Sequence, residues 1–151
     1  MAAKKVLFVC VENSNRSQMA EAFANIHGAG KLEAHSAGSR PSGRVNPKAI
    51  AAMAELGYDL TTHTSKGLDE FNGQQVEVAV TMGCGDECPL VHANQRVDWQ
   101  IPDPRDMSPQ EFLKVCDLIE IKVKDLIDWI GIENSSSISM DNPIGGTAET
   151  M

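Results

Sequence analysis

The chain has 151 residues, a mass of 16.3 kDa and a formal net charge of −8, which is the size of one domain. Its hydrophobic fraction of 42% and charged fraction of 23% exclude a disordered or collagen-like chain, and no apolar run approaches the ~20 residues that cross a bilayer. The acidic balance excludes binding of nucleic acid mainly through phosphates, and the start, MAAKKVLFVCVEN, turns polar too early for a signal peptide. We expect a cytoplasmic monomer that acts without nucleic acid or membrane.

Predicted strands and helices alternate along the chain. Apolar runs of strand length occur at four places, residues 6–9, 32–37, 76–81 and 97–100. Apolar residues at helical spacing occur at three places, residues 18–27, 47–56 and 109–130. Proline at the first helical position supports the starts of the second and third helices.

This alternation is typical of βαβ units with a parallel sheet. We expect a single-domain α/β three-layer sandwich, with a central, mainly parallel four-stranded sheet flanked by helices in flavodoxin-like winding. The domain is predicted to span residues 1–133, and the polar residues 134–151 are predicted to form a flexible tail. Because ligands of such folds bind outside the carboxyl ends of the strands, we expect the loops that begin at Cys10, Met82 and Pro102 to meet at one edge.

The segment from Cys10 to Ser17, CVENSNRS, joins the first strand to the first helix. A tight turn at a helix N-terminus collects backbone N–H groups around an anion. The planar guanidinium of Arg16 can hold two oxygens of a tetrahedral oxyanion. The same donors favour the thiolate of Cys10, and the Ser17 hydroxyl can donate to it. The loop therefore predicts a thiolate nucleophile directed at a bound tetrahedral anion.

The four cysteines are Cys10, Cys84, Cys88 and Cys116. Without a secretory signal they are expected to be reduced thiols, used for packing, metal binding, nucleophilic catalysis or redox chemistry. We interpret Cys116, on the long helix, as a packing thiol. We interpret His63 as a surface or capping residue.

VLFVCVENSNRSQMAEAF resembles the opening of the low-molecular-weight phosphatase superfamily, and more closely the arsenate reductases built on that fold. The resemblance covers roughly residues 4–130. It continues through five further motifs, HSAGS at 35–39, VNPKAI at 45–50, HTSK at 63–66, VTMGCGDECP at 80–89 and DWQIPDP at 98–104.

The resemblance implies a role for each matching residue. Cys10 matches the nucleophile, Arg16 the oxyanion-binding arginine and Ser17 the hydroxyl that supports the thiolate. Asn13 matches the asparagine that fixes the shape of the loop. Asp103 matches the general acid that protonates the leaving oxygen. The remaining loop residues, which complete the predicted oxyanion site, are Val11, Glu12, Ser14 and Asn15.

Cys84 and Cys88 match the region in which the reductases keep additional redox cysteines. The resemblance implies arsenate as substrate, with phosphate or sulfate as mimics. Cys84 is taken to attack Cys10 first and Cys88 to complete the exchange. No tightly bound cofactor and no metal are implied. The implied reductant is thioredoxin, or glutathione or mycothiol with a glutaredoxin-like partner.

Three other functions stay open on the sequence. A phosphatase would use the same loop and Asp103 to hydrolyse phosphate monoesters such as phosphotyrosine. Zinc binding would use Cys84, Cys88 and His92, although no fourth ligand is evident. An anion-sensing module would retain Arg16 without needing Asp103.

The chain departs from the pattern of its relatives at three positions. Asn15 stands where some relatives have a second loop cysteine, and Glu12 stands where many phosphatases have glycine. Some reductases bind potassium through residues that match Asn13, Glu21 and Ser36, together with an acidic residue. This chain has Lys66 in place of the acidic residue, and the hypothesis is that its ammonium replaces the ion.

Overall fold

A computed structural model describes residues 4–67, 71, 74–82, 92–104 and 106–135, except for the side chains of His92 and residues 131–135. The predicted redox cysteines Cys84 and Cys88 lie outside the described residues. The predicted tail beyond residue 135 also lies outside them.

Among the described residues, four strands and three α-helices follow the predicted order β-α-β-α-β-β-α, with one additional short 3-10 helix at Leu60–Thr62. The strands are β1 Lys4–Cys10, β2 Leu32–Gly38, β3 Gln75–Thr81 and β4 His92–Asp98. The helices are α1 Arg16–His27, α2 Pro47–Ala54 and α3 Pro109–Ser135.

The strands form one sheet in the order β2-β1-β3-β4, and every pair is parallel. The parallel four-stranded α/β sheet predicted from the alternation is therefore confirmed. β1 is central and lies opposite β2 with Cys10 beside Gly38. All four carboxyl ends lie at one edge, which is the edge where the predicted loops begin.

The fourth strand is displaced from its predicted position. The prediction at 97–100 is wrong, since β4 covers His92–Asp98 with the sequence HANQRVD. Within the described part of the chain this strand pairs with β3 alone, and its residues 94–96 are exposed. An edge strand with an exposed surface does not need an apolar run, so hydrophobicity located only its last residues.

Helix boundaries differ from the predictions by a few residues. α1 begins at Arg16, two residues before the predicted start, and α2 ends at Ala54 instead of residue 56. After α2 the chain turns at Gly57, whose φ of 82° suits glycine. α3 continues to Ser135, two residues beyond the predicted domain end at 133.

Buried side chains form two clusters on opposite sides of the sheet, because alternate residues of β1 point to opposite faces. Val6 and Phe8 belong to the larger cluster, which receives buried residues from all three helices. Leu7 and Val9 belong to the smaller cluster, where Phe71 packs on the sheet. The larger cluster fixes α1, and with it the end of the Cys10 loop, against the sheet.

In the part of the chain that the structure describes, no helix combines the length and the apolar composition needed to cross a membrane.

Candidate functional site

The loop between β1 and α1 spans only residues 11–15, because Cys10 ends the strand and Arg16 begins the helix. Its sharp reversal requires a left-handed backbone at Asn13, with φ of 51°. Asparagine tolerates this conformation better than most residues other than glycine. Gly38 lies against the loop so closely that a Cβ there would be 2.5 Å from the Val11 carbonyl oxygen.

The carbonyl groups of the loop face the segment that follows β2. Those of Cys10 and Val11 accept from the N–H groups of Ser39 and Arg40, at 3.2 and 2.7 Å. That of Ser14 accepts from Asn46 in the same segment, at 3.0 Å. In a trans peptide the next N–H points opposite to the carbonyl. The N–H groups that follow these carbonyls therefore point away from residues 39–46, as an anion-binding turn requires.

The Cys10 sulfur is buried and lies 2.8 Å from Ser17 Oγ. Ser17 Oγ also accepts a hydrogen bond from Asn13 Nδ2 at 2.8 Å. Because this oxygen already receives a hydrogen from the amide, its own hydrogen is available for the sulfur. The structure thus gives Ser17 the geometry of a donor to a Cys10 thiolate.

Arg16 and Asp103 face each other beside the loop. Arg16 Nη1 donates to the carbonyl oxygen of Ile101 at 3.0 Å, which anchors the guanidinium. Its Nη2 lies 3.8 Å from Asp103 Oδ2. The Arg16 side chain is 10% exposed whereas that of Asp103 is 44% exposed. A buried cation at the base and a more accessible carboxyl group above it suit an anion that loses an oxygen toward Asp103.

A cavity of about 200 Å³ opens between these groups. It is lined by Cys10, Val11, Glu12, Ser14, Asn15, Arg16 and Asp103. The structure therefore brings together the predicted nucleophile, the oxyanion-binding arginine and the general acid. Asn13 and Ser17 lie behind the cavity wall, where they contact the nucleophile and its loop. A small tetrahedral anion is the chemical class that this cavity suits.

No aromatic side chain lines the cavity in the part of the chain that the structure describes. Glu12, in the position that is glycine in many phosphatases, is a lining residue and places a carboxylate near the predicted anion site. A cavity with this lining offers no described ring to stack on a phenol.

Sequence reasoning missed Gln18 and misplaced His63. Gln18 is fully buried and its Nε2 donates to Asn13 Oδ1 at 2.9 Å. The His63 side chain is only 6% exposed and its Nδ1 lies 2.9 Å from Gln18 Oε1, so the prediction of a surface residue is wrong. The alternative prediction of a capping residue is confirmed, because the His63 backbone N–H donates to the Leu60 carbonyl oxygen and ends the 3-10 helix. Burial lowers the pKa of His63, although the Glu21 carboxylate opposes this effect and Lys66 reinforces it. The signal that the sequence offered for this site was a glutamine directly after the loop serine, at a position that the structure shows to be buried.

The residues that match the potassium ligands of some reductases do not suit a cation here. Ser36 Oγ donates to Glu21 Oε1 at 2.5 Å, and the Lys66 ammonium donates to the Thr64 carbonyl oxygen at 3.0 Å. Asn13 Oδ1 already accepts from the Lys66 backbone N–H at 2.8 Å. Oxygens engaged in hydrogen bonds, beside a fixed positive charge, do not fit a potassium site.

The remaining cysteines lie away from this cavity or outside the described residues. Cys116 is buried on α3, and burial raises the pKa of its thiol to about 11, as expected for a packing residue. Cys84 and Cys88 are outside the described residues, as is the side chain of His92. Within the described part of the chain, no cluster of three histidine, cysteine or acidic side chains could hold a metal ion.

Comparison with known proteins gives consistent matches over most of the chain. A family model described as low molecular weight phosphotyrosine protein phosphatase matches residues 5–136. A relative from Synechocystis sp., named glutaredoxin arsenate reductase, is 42% identical over 127 residues, which are 82% of this chain and 96% of the relative.

Two solved structures extend the comparison to three dimensions. One, described as an arsenate reductase in the phosphate binding state, is 40% identical with a TM-score of 0.75, covering 84% of this chain and 98% of that chain. The other, a thioredoxin-dependent arsenate reductase of Corynebacterium glutamicum, is 29% identical with a TM-score of 0.70, covering 87% of this chain and 63% of that chain. The fold described above is therefore shared with proteins of this group.

Proposed function

Because this chain belongs to the low molecular weight phosphotyrosine protein phosphatase family, we propose that it is an arsenate reductase whose nucleophile is Cys10. The observation that carries the proposal is the 2.8 Å contact between Cys10 Sγ and Ser17 Oγ, beside a small cavity that Arg16 and Asp103 also line. Two relatives that are 42% and 40% identical over most of the chain are named or described as arsenate reductases, which supports the proposal.

In the first step the Cys10 thiolate attacks the arsenic of arsenate and a sulfur–arsenic bond forms. One oxygen leaves as water after the carboxylic acid of Asp103 supplies a proton. Arg16 and the backbone N–H groups of the loop hold the other oxygens and stabilise the charge that develops on them.

In the second step another thiolate attacks the sulfur of Cys10, which forms a disulfide. The electron pair of the sulfur–arsenic bond stays on arsenic, which is thereby reduced from As(V) to As(III) and leaves as arsenite. We assign this attack to Cys84. Cys88 then displaces Cys10 and leaves a Cys84–Cys88 disulfide.

An external thiol must reduce that disulfide before the next turnover. The Corynebacterium glutamicum relative is thioredoxin-dependent and the Synechocystis relative is named for glutaredoxin, which supports a thiol reductant in general. We assign the role to thioredoxin, because a cysteine pair provides a disulfide for it to reduce. Glutathione or mycothiol with a glutaredoxin-like partner is the alternative.

The second candidate function is hydrolysis of phosphate monoesters, which the description of the family model favours. Cys10, Arg16 and Asp103 would act in the same roles, and water would release phosphate from the phospho-cysteine. The cavity lining argues against phosphotyrosine peptides, since within the described residues it has no aromatic side chain to hold the phenol ring.

The test is a single turnover of the fully reduced protein with arsenate in the absence of external thiol. We expect nearly one equivalent of arsenite and a disulfide that involves Cys84, mapped by mass spectrometry. Cys10→Ser, Cys84→Ser and Cys88→Ser should each prevent formation of a Cys84–Cys88 disulfide. Cys116→Ser is the matched control and should behave like the natural protein.

Parallel assays separate the two functions. Hydrolysis of a small aryl phosphate without any arsenite, even when thioredoxin or glutathione with glutaredoxin is added, would establish the phosphatase instead. Arsenite formed only with glutathione and glutaredoxin would retain the reductase and reject the assignment to thioredoxin.

A further inference from the structure

A chain of hydrogen bonds leads from the Cys10 sulfur to Tyr58, in the segment that follows α2. Beyond Ser17 and Asn13 it continues through Gln18 to His63. The ring of His63 reaches the Tyr58 hydroxyl from Nε2 at 2.7 Å. In order from the sulfur, the members are Cys10, Ser17, Asn13, Gln18, His63 and Tyr58.

The backbone fixes the direction of the bond between Asn13 and Ser17. The N–H of Lys66 can only donate, and it lies 2.8 Å from the side-chain oxygen of Asn13. The amide of Asn13 must therefore present its oxygen to Lys66 and its nitrogen to Ser17. The reversed amide would accept the Ser17 hydrogen and remove it from the sulfur.

Two carbonyl groups fix the direction of Gln18 in the same way. Its amide nitrogen lies 3.0 Å from the backbone oxygen of Asn13 and 2.9 Å from that of Thr64, and carbonyl oxygens only accept. Since Asn13 Oδ1 is a third acceptor at 2.9 Å, the hydrogen directed at Asn13 is shared between the two oxygens of that residue. The Gln18 oxygen must therefore face His63, whose Nδ1 carries the hydrogen between them. Every bond from His63 onward then donates toward the sulfur.

We propose that Gln18 and His63 are positioning residues that hold the Asn13 amide in the orientation that directs the Ser17 hydrogen to the Cys10 thiolate. The inference rests on the proposed role of Cys10 as nucleophile and assigns two residues outside the loop to its activation. Aligned hydrogen bonds in a buried site polarise one another, so the remote members strengthen the last bond.

The direction in which these hydrogen bonds donate does not depend on the charge of His63. Glu21 Oε1 lies 3.8 Å from His63 Nδ1, Lys66 is a second charged neighbour, and Tyr58 faces the other ring nitrogen. Nδ1 carries a hydrogen in both the charged ring and the neutral tautomer required here. The contribution of His63 is therefore a directed hydrogen bond.

The test measures the rate at which iodoacetamide alkylates Cys10 at neutral pH, with the modified residue identified by mass spectrometry. The thiolate is the reacting form, so the rate reports the support that the sulfur receives. Gln18→Met keeps the length and burial of the side chain but removes the amide oxygen and the amide nitrogen. It should lower the alkylation rate about ten-fold, as loss of a hydrogen bond that supports a charged group does.

A pair of substitutions at His63 separates a directed hydrogen bond from simple packing. His63→Leu should lower the alkylation rate about three-fold, because the Gln18 oxygen loses its donor. His63→Asn places an amide nitrogen where Nδ1 lies and should restore most of the rate. If Gln18→Met fails to fold, this pair alone decides the question.

Matched controls use the same substitutions at residues outside the hydrogen-bond chain. Gln75→Met changes an exposed glutamine that bonds to Asn94, and His27→Leu changes a histidine that bonds to Glu120. Both should leave Cys10 alkylation unchanged. A comparable loss of rate in the controls would overturn the proposal, because it would reflect general destabilisation.

Protection of Cys10 by inorganic phosphate provides the second measurement. His63 bonds to Gln18 and Tyr58 and is not among the described residues that line the anion cavity, so His63→Leu should leave phosphate affinity unchanged. A fall in phosphate affinity parallel to the fall in alkylation rate would assign His63 to loop shape and overturn the inference. An undiminished alkylation rate in folded His63→Leu or Gln18→Met would overturn it as well.

These readouts need no arsenate turnover and are therefore independent of the proposed reaction. If no arsenite forms even with added reductants, and the substitutions lower the alkylation rate as expected, the reductase is rejected and the inference is retained. Arsenite formation with no effect on alkylation would do the reverse.

Discussion

At the scale of single residues, Asp103 is the side chain whose role is most directly testable. It is 44% exposed and lies 3.8 Å from the Arg16 guanidinium. Asp103→Asn keeps the shape of the cavity but removes the proton that the leaving oxygen needs. Formation of the covalent intermediate should slow by about 10²–10⁴-fold, measured by rapid quench. Phosphate binding should remain, and Asp106→Asn, an exposed neighbour, should retain the full rate.

The buried thiol of Cys116 makes the free energy of unfolding depend on pH in the alkaline range. Burial raises the pKa of its thiol from 9.0 to about 11. Between these values the folded state holds a proton that the unfolded chain has lost, so the stability that this thiol contributes is lost as pH rises through the window. Urea unfolding should show that Cys116→Ala reduces the alkaline loss. An unchanged pH profile in the variant would assign the loss to another group.

Lys66 predicts how the protein responds to potassium. Since its ammonium donates to the Thr64 carbonyl oxygen and the neighbouring oxygens are engaged, added potassium should change neither Tm nor the rate of arsenate reduction. Sodium at the same ionic strength is the control. A specific gain with potassium in the natural chain would refute the hypothesis that Lys66 replaces the ion.

At the scale of elements, the end of β2 supports the Cys10 loop from below. A Cβ on Gly38 would lie 2.5 Å from the Val11 carbonyl oxygen and 2.8 Å from the Asn13 nitrogen. Gly38→Ala should therefore displace the loop and weaken phosphate binding by about ten-fold or more, the cost of losing one or two hydrogen bonds to the anion. Isothermal titration with phosphate measures the effect.

Gly57→Ala is the matched control for this substitution. Gly57 has a φ of 82° but no heavy atom within 4 Å of an added Cβ. The substitution should lower stability through backbone strain by about 1 kcal/mol and leave phosphate affinity unchanged. Equal losses of affinity in both variants would mean that the Gly38 contact is not specific.

At the scale of the whole molecule, the large buried cluster joins the helices to the sheet and reaches the cavity at Cys10, which belongs to both. Ile119 is fully buried in the cluster that joins α3 to α1 and the sheet. Ile119→Ala should lower the free energy of unfolding by about 2–5 kcal/mol, measured by urea titration. Arsenite formed per folded molecule in a single turnover should not change, because Ile119 lies on α3 and is not among the described residues that line the cavity.

The sequence predicted the fold well where burial sets the pattern. β1 and β3 are central, so their apolar runs located them to within two residues, and the alternation with helices predicted a parallel sheet. β4 was displaced because an exposed edge strand has no such run. The C-x5-R-S spacing was enough to place Cys10, Arg16 and Ser17 around one loop, since strand, turn and helix follow each other in the chain.

Chain order alone could not determine contacts between distant segments. That Asp103 lies beside Arg16, and that Gln18 meets His63 from 45 residues away, depends on how the sheet brings its carboxyl ends together and how residues 60–67 return across α1. The sequence by itself therefore determined which groups share the loop: a thiol, an arginine and a serine in a short turn that is predicted to bind an anion. Only the tertiary structure decided which way the Ser17 hydrogen points. That direction is set by the Lys66 N–H and the Thr64 carbonyl, which are backbone groups, so no pattern of side chains in the sequence reveals it.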